Sequence, residues 1–304
     1  MAIASRSFRT RGQFKTDKPG GIMGAIYGDY GTGKTYLAGT IDDVIQEMNE
    51  TKPINLELPP GITASYSTLY ANAEKGEDGL PSHAENIIIK DIFTYEDFAR
   101  LYDFLKLHCR YKESGDVASL IKLQNKYLNI DISEIGELFL FEAVIVDSLT
   151  EIQKYCVYKL MGLDMDSKLD EIPEYMQQRD WGSALEMILL MVRNFRALPT
   201  HKLFIVQVAE DQDDKKKRFF TPALQGQAKS SILGFFDFVG YYKIEQITEQ
   251  GTFRRLYLSP VGPFKAKHRF EGFDKHWIDQ PTMKKVLAAR ALKPKVANSK
   301  VNSK

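Results

Sequence analysis

The sequence predicts an α/β protein with a mostly parallel central sheet flanked by helices. Three observations carry that expectation. A glycine-rich loop, Gly28-Asp29-Tyr30-Gly31-Thr32-Gly33-Lys34-Thr35, stands between an apolar β-type run and a segment of helical spacing. Short apolar runs then alternate with longer amphipathic ones, the order that builds strand–helix–strand units with right-handed crossovers. The composition is that of an ordinary globular chain, with 304 residues, 43% hydrophobic and 27% charged, enough to bury a large core in one domain.

Taken in order, Ile22-Met23-Gly24-Ala25-Ile26-Tyr27 is a short strand ending in glycine, and Leu37, Ile41, Val44, Ile45 and Met48 give the following segment a helical face. Residues 65–71 and Ile87-Ile88-Ile89 are further β-type runs, and 95–111 is amphipathic at helical spacing. Residues 105–138 read as an inserted helical segment. Residues 139–146 are nearly all apolar, as expected of a central parallel strand covered on both faces. A long helix near 181–198 stops at Pro199, and 203–208 form another buried strand. Residues 209–224 change character: Glu210, Asp211, Asp213 and Asp214 run into Lys215-Lys216-Lys217-Arg218 and Phe219, with no periodicity that would bury a face. They read as a mobile loop. Residues 235–242 and 253–258 read as two strands joined by a turn at Gln250-Gly251. The organisation expected is a basic extension over 1–19, a core over 20–280, and a basic helix with a disordered tail over 281–304.

The formal net charge of +1 conceals basic ends on an acidic body. From Gln280 onward there are seven Lys or Arg and no acid. Such tails gather an anionic polymer or an acidic partner, or they are solubilising disorder. Apolar stretches such as 188–192 fall far short of the ~20 residues that span a bilayer, so no membrane association is expected. Cys109 and Cys156 lack metal or redox spacing and read as buried thiols in a reducing cytoplasm.

The chemistry concentrates at the glycine-rich loop. Phosphate oxygens are satisfied by a row of backbone N–H groups, and glycine lets a loop wrap closely enough to present them. Gly28, Gly31 and Gly33 serve that end, with Asp29, Tyr30, Thr32 and Tyr36 completing the ATP-binding segment. Lys34 would bridge the β- and γ-phosphates, and the Thr35 hydroxyl would ligate Mg²⁺. A magnesium site of this kind needs an acid at a neighbouring strand end, and Val144-Ile145-Val146-Asp147 supplies one; the competing reading is an ordinary strand-ending aspartate. Ser148 either bonds near the γ-phosphate or caps the next helix. Hydrolysis also requires a base or water-positioning group. Glu74, after the strand Leu69-Tyr70-Ala71-Asn72-Ala73, is the candidate, its rival reading a solvated loop glutamate beside Lys75. Gln207 is the candidate γ-phosphate sensor, or a buried amide paired with backbone.

Together these residues resemble the RecA-like branch of P-loop ATPases, and more closely the phage-encoded recombination and single-strand-annealing ATPases. The likeness spans about residues 20–275. It rests on Ala73-Glu74, on Val-Ile-Val-Asp-Ser-Leu-Thr-Glu-Ile at 144–152, and on Arg179-Asp180-Trp181-Gly182 with the helix to Leu198-Pro199-Thr200-His201. It also rests on Gln207 before its loop, Thr221-Pro222-Ala223-Leu224-Gln225-Gly226, Phe236-Asp237-Phe238-Val239 and Lys265-Ala266-Lys267-His268-Arg269. The resemblance implies a Mg-dependent, DNA-stimulated ATPase in the host cytoplasm that acts on single-stranded DNA in recombination, annealing or repair. It implies a ring or filament of identical subunits with ATP at their interfaces, and a single-strand-binding protein as a partner. It makes Lys215, Lys216, Lys217, Arg218 and Phe219 the DNA contacts, and Lys265, Lys267 and Arg269 the residues completing a neighbour's site. An ATP-switched scaffold that binds proteins rather than DNA is the alternative. Bacterial RecA's N-terminal oligomerisation domain has no counterpart in the sequence, so annealing or loading of other proteins is expected rather than full strand exchange.

Overall fold

The computed structural model describes residues 21–163, 167, 178–212, 214–224, 228–249 and 251–292. The expectations for 1–19, for the tail beyond 292, for Gln225-Gly226 and for the side chains of Arg179 and Asp180 lie outside them. The strands are β1 Met23–Gly28, β2 Thr63–Asn72, β3 Ile87–Asp91, β4 Glu137–Asp147, β5 His201–Gln212, β6 Arg218–Pro222, β7 Phe238–Thr248, β8 Gly251–Tyr257, β9 Lys267–His268 and β10 Trp277–Asp279. The helices are α1 Lys34–Gly39, α2 Asp42–Thr51, α3 Tyr95–Ser114, α4 Val117–Gln124, α5 Ile132–Ile135, α6 Leu149–Leu160, α7 Gln178–Arg196, α8 Ala228–Phe235 and α9 Met283–Ala291.

One sheet organises them, in the order β10-β8-β7-β1-β5-β4-β2-β3. Strands β1, β2, β3, β4, β5 and β7 are mutually parallel, and β8 returns antiparallel from β7. This is the expected α/β architecture. Because side chains alternate across a strand, the sheet builds a core on each face. On one face Met23, Ala25, Tyr27, Val144 and Val146 meet α3, α6, α7 and α8 through Phe98, Ile152, Ile188 and Ile232. On the other, Ile22, Ile26 and Ile145 meet α1, α2, α4 and α9 through Leu37, Ile45, Leu120 and Val286.

The segment 105–138 folds onto β4 for an identifiable reason. β5 pairs with β4 only from Ala143 onward, so the first half of β4 has one edge without a strand. Side chains from α3 and α4 take that edge. Gln124 bonds both backbone groups of Phe139, at 2.6 and 3.2 Å, and His108 Nε2 lies 3.1 Å from the Phe139 carbonyl and 3.4 Å from the Phe141 N–H. Burial holds the His108 imidazole neutral, pushed down to about 3. Cys109 and Cys156 are buried, and burial raises both thiols.

Three expectations are corrected. The helical face after Lys34 is two helices, because α1 closes at Thr40, whose hydroxyl bonds the Leu37 carbonyl at 2.7 Å and accepts from the Met283 N–H at 2.8 Å. Residues 209–224 are not a structureless loop: β5 runs on to Gln212, and β6 pairs with it antiparallel from Val208↔Pro222 to Gln212↔Arg218. The reason is tertiary. Phe220 stacks on Tyr241, with centroids 5.8 Å apart, and its N–H donates to the Pro263 carbonyl at 2.6 Å. Helix α8 also continues to Phe235, so β7 begins only at Phe238.

Candidate nucleotide site

Strand registry sets the site before any side chain is considered. Gly28 pairs with Gln207, Asp147 with Ile205, and Asn72 with Asp147, so the ends of four parallel strands meet at one carboxyl edge, where open α/β sheets bind ligands. Gly28 must be glycine, since a Cβ there would stand 2.1 Å from the Tyr242 carbonyl oxygen. Gly31 and Gly33 have φ of 72° and 88°, the left-handed region that the loop needs to curl back on itself. Gly33 opens α1 without a side-chain cap, which leaves first-turn N–H groups for a ligand.

Lys34 Nζ donates to the carbonyls of Gly28 and Asp29, both at 2.9 Å, holding the loop closed beneath it. Burial lowers its ammonium pKa, while Asp147, Glu74 and Asp29 pull it back up. Thr32 Oγ1 ties back to the Asp29 carbonyl at 2.9 Å. The Thr35 hydroxyl donates to Asp147 Oδ2 at 2.7 Å, and Tyr70 donates to the same oxygen at 2.8 Å. Asp147 is almost wholly buried, and that burial raises its carboxyl pKa despite the two hydrogen bonds. Asp147 does not sit on a strand next to β1, because β5 lies between them. The contact forms because α1 carries Thr35 across the sheet edge.

Glu74 is placed by backbone: its N–H and that of Ala73 both donate to the Asp147 carbonyl, at 3.1 and 2.7 Å. Its Oε1 accepts from Ser148 Oγ and from Gln207 Nε2, the latter at 2.8 Å. Ser148 also caps α6, accepting from the Glu151 N–H, the second of its two expected roles. The amide of Gln207 faces side chains, and its Oε1 accepts from the Tyr30 hydroxyl at 3.0 Å. Lys34, Thr35, Glu74, Asp147 and Gln207 therefore converge.

The remaining candidates lie elsewhere. Lys215, Lys216 and Lys217 are exposed at the hairpin tip, with Arg218 and Phe219 at the start of β6. Arg218 pairs with Glu210 at 3.2 Å. Lys265 lies beside the hairpin, with Nζ 4.5 Å from the Phe219 ring centroid. Lys267 is opposite Val239 at the start of β7, and Arg269 donates to the Gly234 carbonyl, so both belong to the opposite, amino edge of the sheet. Sequence reasoning missed Tyr70, Thr150, Tyr241 and Arg254. Tyr241 donates to Asp29 Oδ2 at 3.3 Å, Thr150 accepts from the Gln207 N–H at 3.0 Å, and Arg254 Nε donates to the Thr32 carbonyl at 3.1 Å. The one available signal was Arg254-Arg255, a charged pair inside a β-type run.

The donor set fits a nucleotide with Mg²⁺. Magnesium is held through one or two protein oxygens and the phosphates themselves, and Thr35 with Asp147 offers such a pair. Among the described residues no group of three His, Cys, Asp or Glu side chains is placed to hold a metal without the nucleotide. Bound there, the ion would supply charge neutralisation to the phosphates. Fold and site together define a P-loop nucleotide-binding ATPase fold. Residues 20–270 match the family model described as an AAA domain, and the chain belongs to that family. It is also similar to the flagellar accessory protein FlaH from Methanocaldococcus jannaschii, at 11% identity over 87% of this chain and 89% of that one, with a TM-score of 0.34. The KaiC-like protein PH0186 from Pyrococcus horikoshii OT3 is similar at 12% identity over 85% and 88%, with a TM-score of 0.32. The fold assignment rests on strand order and the family match, not on these two likenesses. Comparison with curated proteins gives no match. Among the described residues no helix is long and apolar enough to cross a membrane.

Proposed function

We propose that this protein is a Mg-dependent ATPase that acts on single-stranded DNA, in recombination, annealing or repair of the kind phages encode. One observation carries the reading. Gln207 hydrogen-bonds Glu74 and lies on β5, the strand that runs on into the hairpin bearing Lys215, Lys216, Lys217, Arg218 and Phe219. The candidate γ-phosphate sensor thus lies on the same strand as a projection with a basic tip and a half-buried aromatic ring just behind it. Lysines neutralise phosphates, and an aromatic ring stacks on unpaired bases.

In this reading Lys34 and the loop amides hold the triphosphate, Thr35 and Asp147 hold the magnesium, and Glu74 orients and deprotonates the attacking water. Ser148 and Gln207 keep the Glu74 carboxylate aimed. Subunits assemble on the strand as a homo-oligomer, with Lys265, Lys267 and Arg269 serving a neighbour's ATP. The position of Lys267 and Arg269, remote from their own chain's P-loop, supports a role in trans. The test is ATP hydrolysis measured with and without single-stranded DNA. Stimulation is expected; equal rates together with no gel shift would reject DNA as the ligand and transfer the hairpin to a protein partner.

A further inference from the structure

The P-loop has two flanks, and the carboxylates occupy only one. Strands β2, β4 and β5 bring Glu74, Asp147 and Gln207 to the first. On the second, β1 is paired with β7 and β7 with β8. A Cβ built on Gly33 would lie 3.7 Å from Arg254 Nε, 3.9 Å from Tyr36 Cβ and 4.0 Å from the Tyr242 ring. Arg254 and Tyr242 therefore close on the loop from the flank of β7 and β8, and Tyr36 leaves the same turn three residues after Gly33.

Arg254 is held with care. Gln280 brackets its backbone, accepting from the Arg254 N–H at 2.9 Å through Oε1 and donating its own N–H to the Arg254 carbonyl at 2.9 Å. Gln280 Nε2 reaches the Thr252 carbonyl at 3.2 Å, and Lys285 donates to the Gln280 carbonyl at 2.6 Å. So anchored, Arg254 spends Nε on the Thr32 carbonyl. Tyr36, by contrast, is 50% exposed, a large ring standing in solvent on the first turn of α1. Tyr242 is buried behind them and serves as the floor.

We infer that Tyr36 and Arg254 form the nucleoside clamp of this site, an assignment that rests on reading the P-loop as the nucleotide site. With Thr35 and Asp147 on the magnesium and Glu74 at the γ-phosphate, an extended triphosphate must run away from β4, toward β7 and β8. The nucleoside then arrives beside an exposed tyrosine ring and a planar guanidinium, the two protein groups suited to stacking on a base. Stacking of this kind recognises a flat aromatic base through its face.

Calorimetric titration in Mg²⁺ with two ligands tests this: ATP, and inorganic tripolyphosphate, which carries the phosphates without the nucleoside. Tyr36→Ala and Arg254→Ala should each weaken ATP by about tenfold while tripolyphosphate changes by less than about twofold. The tripolyphosphate titration also reports whether each variant keeps a formed P-loop, and Tyr36→Ala removes an exposed ring. Equal losses for both ligands would make Arg254 a brace for the loop and overturn the clamp, as would unchanged ATP affinity in Tyr36→Ala. Wild-type protein that binds neither ligand, or a Lys34→Ala variant that binds both normally, would instead overturn the P-loop reading and the clamp with it.

Discussion

Single residues decide the chemistry of this site through burial as much as through identity. Glu74 has its carboxylate aimed by Ser148 and Gln207, so Glu74→Gln should bind ATP normally and hydrolyse it about 10²–10⁴-fold more slowly in single-turnover assays. Undiminished turnover would remove Glu74 from the reaction. Asp147 carries the opposite trade. Burial raises its carboxyl pKa, so the folded state takes up a proton before the unfolded state does as pH falls. The linked stability is fully present below the ordinary carboxylate range and is lost as pH rises through the folded value. Asp147→Asn keeps acceptors for Thr35 and Tyr70 while removing that buried charge. At pH 7 it should melt about 2–4 °C above wild type, with the advantage disappearing on acidification, and it should lose Mg-dependent turnover. A lower melting temperature at neutral pH would show that the charge is repaid by its neighbours.

At the scale of elements, the cover over β4 has a consequence for acid stability. His108 is held down to about 3 and His201, at the start of β5, to about 4, both chiefly by burial. Between those values and the ordinary 6.5 the unfolded chain binds protons that the folded chain refuses. Stability should therefore fall as pH drops through 6.5, by up to about 1.4 kcal/mol per pH unit for each histidine. His108→Gln retains an amide for Phe139 and Phe141, so its denaturant-melting profile should be flatter between pH 6.5 and 4; a profile parallel to wild type would mean that His108 protonates where it stands. The hairpin β5–β6 makes a related point. Its acids and lysines at 209–218 carry no period that buries a face, yet Phe220 stacks on Tyr241 and forms a β-bridge with Phe264. Local pattern was silent because the partners lie more than twenty residues away in the chain.

For the whole molecule, the proposed assembly on DNA would be electrostatic. Replacing Lys215, Lys216 and Lys217 together by Ala should abolish DNA stimulation without changing basal ATP turnover. It should also reduce the slope of log affinity against log salt by about 2, since each lost phosphate contact removes roughly 0.7 on single strands. An unchanged slope would place the DNA elsewhere. The α/β class, the succession of the main strands along the chain, and Lys34, Thr35, Asp147 and Glu74 as candidates were legible in the sequence. Each is written locally, in a glycine spacing, in an apolar run, or in an acid that ends one. What only the tertiary structure decided is which distant side chains share that edge. β5 comes between β1 and β4, Tyr70 joins Thr35 on Asp147, Gln207 turns to Glu74, and Arg254 crosses from β8 to the Thr32 carbonyl. Periodicity fixes which face of a strand is buried, but the neighbour that a strand tip meets is set by the pairing of whole strands across the sheet.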